Sequence, residues 1–186
     1  MSRFAAFLRG MNVGGHRLTN DELRAHFETM GFAQVATFRA SGNVVFAAGE
    51  RSPQEAAAHI EHGLAELLGY AVPTFVRSDA QVRAIAAARP FGDRTTGAHG
   101  GKLQVSLLAS APTPEAREQV LALAGEDDAL AFGASSPEGE RELYWLPSGG
   151  MLDSALDMAT IEWLLGASTM RTKGTIELIA SKHCGG

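Results

Sequence analysis

A chain of 186 residues, 45% of them hydrophobic, is long enough for one domain or two small ones with a real core. Its net charge of −5 and pI near 5.7 argue against DNA or RNA as an obligatory partner. The single cysteine, Cys184, cannot form an internal disulfide, and no apolar stretch approaches the ~20 residues of a membrane helix. Arg9 also cuts the first apolar run too short for a signal sequence, so a cytoplasmic location is expected.

Residues 3–9 read as a strand, since Phe4, Ala6 and Leu8 alternate with Ala5 and Phe7, and aromatic side chains suit a pleated surface. A glycine-rich loop, Arg9-Gly-Met-Asn-Val-Gly-Gly-His-Arg17, follows. Thr19, with Glu22 three residues on, forms a capping box for a helix to Met30 that Gly31 stops. Gln34–Arg39 and Val44–Phe46 flank the turn Ala40-Ser-Gly-Asn43 and predict a hairpin. Ser52-Pro-Gln-Glu55 repeats the start signal for a helix to about Leu68, burying Ile60 and Leu64, and Val72–Val76 makes a fourth strand.

Ser78 caps a helix to about Arg89, and the glycine-rich stretch 92–101 reads as a loop or connection. The pattern then returns. Leu103–Leu108 is a strand, Thr113-Pro-Glu-Ala116 starts a helix, and Ala129–Phe132 and Leu143–Leu146 are strands. Asp153–Leu165 is expected as a helix, Ser168–Arg171 as a short strand and Thr175–Lys182 as a closing helix. The expected fold is α+β: two tandem ferredoxin-like subdomains, βαββαβ twice, with antiparallel sheets and a connecting helix. Residues 1–77 form the first, 78–101 the connection and 102–186 the second. That reading rests on element order, because the halves share too little sequence to be read as a residue-level repeat.

Charge is distributed unevenly. Residues 1–43 carry five arginines against three acids, whereas residues 113–142 carry eight acids against two arginines, most simply a solvated helix and its loops. In the usual ferredoxin-like sheet order 4-1-3-2, strand 1 lies beside strand 3. Arg9, Asn12, His16, Arg17, Arg39, Ser41 and Asn43 are then brought toward the N-terminus of the first helix. Backbone amides at Gly14 and Gly15, guanidiniums that donate in pairs, and an imidazole titrating near neutrality would suit a phosphate or carboxylate there. The same Arg-Gly and Ser-Gly-Asn segments also serve simply as turns. The loop lacks the Gly-Lys-Ser/Thr ending of a P-loop and the G-x-G-x-x-G of a dinucleotide fingerprint.

The expected ligand set is therefore Arg9, Asn12, Gly14, Gly15, His16, Arg39, Ser41 and Asn43, for a small anionic or phosphorylated ligand. No catalytic residue, metal or cofactor is indicated. The alternative is a non-catalytic interaction or assembly module, such as a homodimer, with a structural glycine loop. His59 and His62 lie three apart on a helix without a third ligand, which reads as a solvent-facing pair. Cys184 beside His183 falls in a tail too frayed to position a nucleophile. Trp145 and Trp163 read as core or edge aromatics. Arg171-Thr-Lys-Gly-Thr175 reads as a strand-to-helix connection before an anion-binding cap. The third strand, Asn43-Val-Val-Phe-Ala47, lacks the basic and aromatic signature of RNA-recognition motifs.

Phe7-Leu-Arg-Gly-Met-Asn-Val-Gly-Gly-His16, Leu23-Arg24, Gly31-Phe32 and Ala40-Ser-Gly-Asn-Val-Val-Phe46 resemble a bacterial family known as domain of unknown function 1697. The resemblance covers essentially the whole chain and is most specific in the first 46 residues. It implies two ferredoxin-like subdomains and no established activity, cofactor or substrate. The chain departs from the family pattern at Ala40, where glutamine is usual, and at Gly150-Met-Leu-Asp153, where the family carries basic groups. In Met170–Thr175 it matches at Arg171 and Thr175 only.

Overall fold

The computed structural model describes residues 2–12, 18–39, 42–133 and 140–184. Two units emerge: residues 1–82 with 182–186, and residues 83–181.

The first unit begins with β1 (Arg3–Leu8), α1 (Asn20–Thr29), β2 (Ala33–Thr37), β3 (Asn43–Ala47), α2 (Pro53–Leu68) and β4 (Thr74–Ser78). The sheet order β2-β3-β1-β4, antiparallel throughout, is the expected ferredoxin-like arrangement. Both helices start at complete capping boxes. Thr19 Oγ1 and Ser52 Oγ accept from the N–H of Glu22 and Glu55, whose carboxylates accept in return from the cap N–H groups. One sheet face carries Phe4, Ala6, Leu8, Val44, Phe46 and Val76 against Leu23, Phe27, Ile60 and Leu64 of the helices. Phe46 is the hub, with its ring 4.6 Å from Phe32 and 5.6 Å from Phe27. The other face, with Ala5, Phe7, Val45 and Phe75, is buried too. That explains why β1 and β3 read as continuous apolar runs, since strands hidden on both sides lose the polar half of the alternation.

α1 and α2 lie close together at Gly63, where a Cβ would sit 2.4 Å from Met30 Sδ. Here the expected solvent-facing histidine pair divides. His62 is exposed beside Glu66, whereas His59 is half-buried, its Nε2–H donating to Met30 O at 3.0 Å. Among the described residues no group of three or more His, Cys, Asp or Glu is placed to hold a metal.

α3 (Asp79–Ala87) follows β4 directly and carries the chain toward β5 (Gln104–Leu108), α4 (Pro114–Ala122), β6 (Asp128–Gly133), β7 (Glu142–Pro147), α5 (Met158–Leu165), β8 (Ser168–Thr172) and α6 (Lys173–His183). The order β6-β7-β5-β8 repeats that of the first sheet. Its core joins Leu108, Val120, Leu143, Trp145, Leu156, Ile161 and Leu165. The helix expected from Asp153 starts at Met158 instead. Asp153 closes a turn onto Gly150 O, and Asp157 supplies the cap, accepting from Thr160 N–H at 3.0 Å.

β8 runs straight into α6, as the connecting role of 171–175 requires. Thr172 Oγ1 accepts from Thr175 N–H at 3.3 Å. Lys173 is buried and its ammonium is engaged by Ala86 O, at the end of α3, and by Glu177. Arg89 donates to the carbonyls of Ala86, Ala87 and Ala88, so two cations cover the negative end of α3. Cys184, expected in a frayed tail, is 2% exposed. No described helix is long and apolar enough to cross a membrane.

Candidate functional site

The rim expected to bind an anion starts from β-sheet register. Phe7 pairs with Asn43, and one residue further Leu8 N–H donates to Gly42 O at 2.8 Å. A Cβ on Gly42 would lie 3.0 Å from Leu8 Cβ, and its φ of +68° favours glycine, so this close approach needs the residue that is there. The end of β1 and the β2–β3 turn are thereby neighbours. Arg9 follows at once, its N–H donating to Pro73 O at 2.9 Å. Gly14, Gly15, His16 and Ser41 lie outside the described residues.

Two of the expected ligand amides work within the fold. Asn43 is 1% exposed, and its Nδ2–H donates to Phe38 O at 3.0 Å while Phe38 N–H donates to Asn43 O at 2.9 Å, which closes the hairpin. Asn12 Oδ1 accepts from Leu18 N–H at 3.1 Å, drawing together the two ends of the glycine-rich loop. Tyr70 O–H donates to Met11 O at 2.5 Å and ties the same loop to the residue after α2 and its cap.

Arg39 is exposed, with φ +57°, and its guanidinium lies 5.7 Å from the centre of the Phe38 ring. Lys182 Nζ lies 5.5 Å from the same ring, and His183 meets its edge at 6.1 Å. Neither Arg39 nor Lys182 has a carboxylate partner among the described residues. His183 titrates below the usual histidine range because burial disfavours its charged form, and Arg3 and Lys182 repel the added proton. Local sequence could not have revealed Lys182 and His183 as companions of Arg39. They are the basic end of a helix, and only the fold brings them to the hairpin.

The chain is similar in structure to the conserved bacterial protein SP0830 from Streptococcus pneumoniae, with a TM-score of 0.70 and 21% identity over 97% of each chain. That likeness establishes the shared fold. No curated protein is significantly similar in sequence. Residues 1–136 match the family model described as a protein of unknown function, DUF1697, and the chain belongs to that family.

Proposed function

We propose that the first unit binds a small anionic or phosphorylated ligand where the loop 9–17 meets the turn 39–43. The observation that carries this reading is the placement of two cations, Arg39 and Lys182, on one aromatic ring at the hairpin end, with no carboxylate partner for either among the described residues. Arg9 stands at the head of the neighbouring loop, and the capped N-terminus of α1 ends it. Asn12 and Asn43 act in this reading by shaping the two segments. The Arg39 guanidinium and the Lys182 ammonium, without acidic partners among the described residues, favour an anion over water.

Thermal-shift measurements with inorganic phosphate, phosphate monoesters and nucleotides test it. Ligand at a hundred times its dissociation constant adds ~2.7 kcal/mol of stability. Arg39→Ala and Lys182→Ala should each reduce that gain, and indifference to every anion overturns the reading. The assembly alternative is favoured by one feature of the second unit, the exposure of Trp163 (80%) and Leu152 (100%). Sedimentation decides it, since a monomer at high concentration excludes self-assembly.

A further inference from the structure

The second unit contains a cleft of about 480 Å³, within the range of small-molecule sites. Residues 125–128 before and at the start of β6, 148–150 after β7 and 153–156 before α5 wall it, and His99 closes one side. The His99 loop is held by close backbone approach. His99 N–H donates to Ser148 O at 2.7 Å and Gly101 N–H to the same oxygen at 3.1 Å. A Cβ on Gly97 or Gly101 would lie 1.9 or 2.0 Å from Pro147 O, so both positions require glycine. The imidazole consequently meets the Ser148 hydroxyl, Nδ1 to Oγ, at 2.8 Å.

The floor is fixed by a carboxylate that is fully engaged. Asp128, 6% exposed, accepts from Trp145 Nε1–H through Oδ1 at 2.6 Å and from Ser154 O–H through Oδ2 at 2.8 Å. Glu126, Asp127 and Asp153 also line the cleft, are exposed, and have no cationic partner among the described residues. Glu126 and Asp127 also line an adjoining cavity of about 300 Å³ together with Arg94, which is absent from the lining of this one, whereas Asp153 lines only this cleft. Leu123 and Leu156 add an apolar wall. The cavity thus combines unpaired carboxylates, a hydrocarbon strip and a preset imidazole–hydroxyl pair.

We propose that this cleft binds an alkylammonium group, with the charge held by Asp127 and Asp153 and the methylenes lying along Leu123 and Leu156. Like charges facing one concavity repel each other, and a bound cation relieves that cost. An ammonium has three donors and no acceptor, a match for two carboxylates and the Ser148 oxygen. Four to five methylenes give the hydrocarbon strip something to cover, which a bare metal ion does not. The same carboxylates repel phosphates and dicarboxylates, so the specificity is opposite to that proposed for the first unit.

Calorimetric titration and thermal shift on the full chain test this with cadaverine, and with butanol, glutarate and calcium chloride as controls. Cadaverine should bind and raise the melting midpoint, while butanol and glutarate do neither. Asp127→Asn and Asp153→Asn should each weaken binding by roughly threefold to tenfold, and together abolish it. Both side chains are exposed, and unchanged melting without ligand confirms that the variants fold. A Gly-Lys-Gly peptide separates the two sources of the group: tighter binding than cadaverine identifies a protein-borne lysine, weaker binding a free amine. Absence of binding by either, equal binding by the double variant, or a response to calcium chloride alone overturns the proposal.

Discussion

His26 and His59 each donate a hydrogen bond to the backbone of the other's helix. His26 Nε2–H reaches Gly63 O in α2 at 3.0 Å, and His59 Nε2–H reaches Met30 O at the end of α1 at 3.0 Å. A carbonyl oxygen only accepts, so both rings carry their proton on Nε2. His26→Ala and His59→Ala should each cost about 1 kcal/mol in urea denaturation. Nitrogen chemical shifts of the two imidazoles check the tautomer directly.

The two capping boxes predict an acid-sensitive step in stability. Hydrogen bonds from Thr19 and Ser52 hold the Glu22 and Glu55 carboxyls below the usual glutamate range. A carboxylate with a depressed folded value contributes stability in full above its unfolded value of 4.5, and loses it as pH falls through the folded one. Glu22→Gln and Glu55→Gln should flatten this acid limb in melting scans. Thr19→Ala and Ser52→Ala should each cost about 1 kcal/mol at neutral pH.

His183 titrates with the opposite direction of pH dependence from a paired histidine. Its folded value is depressed, so the unfolded chain takes up the proton first as the solution acidifies. Stability attributable to His183 is therefore complete above its unfolded value of 6.5 and falls as pH drops through it toward the lower folded value. His183→Gln should remove this component. An anion bound beside Arg39 and Lys182 should raise the His183 value, which proton NMR titration with and without phosphate measures.

Asp128 should be among the costliest single positions in the second unit. Asp128→Ala strands a buried indole N–H and the Ser154 hydroxyl, at a cost of about 2–3 kcal/mol. Asp128→Asn keeps one acceptor and should cost less. Guanidinium denaturation followed by tryptophan fluorescence reads the loss, with Trp145 buried and Trp163 exposed as the two reporters.

The helix starts were legible because their signals are local: Thr19–Glu22 and Ser52–Glu55 make the reciprocal bonds that their spacing implies. The start of α5 was misplaced because Asp153 and Asp157 both offer a cap, and choosing between them depends on a turn at Gly150 and on burial of Leu156. Sheet order followed from the βαββαβ pattern, and with it the adjacency of Leu8 and Gly42. Side-chain roles were harder to read. Asn43 has the chemistry of a ligand amide, yet Phe38 O lies within its reach, and residue type alone cannot distinguish the two uses. The association of Lys182 with Phe38 joins residues far apart in the chain, beyond any periodicity or motif.

Residues 182–184 belong with the first unit although they are translated after the whole of the second. The ring of Phe38 receives Lys182 and His183 only when those residues have left the ribosome. Vectorial synthesis therefore completes the amino-terminal half last, and a nascent chain halted at residue 181 would carry every strand of both sheets while the hairpin end still waited for its final neighbours.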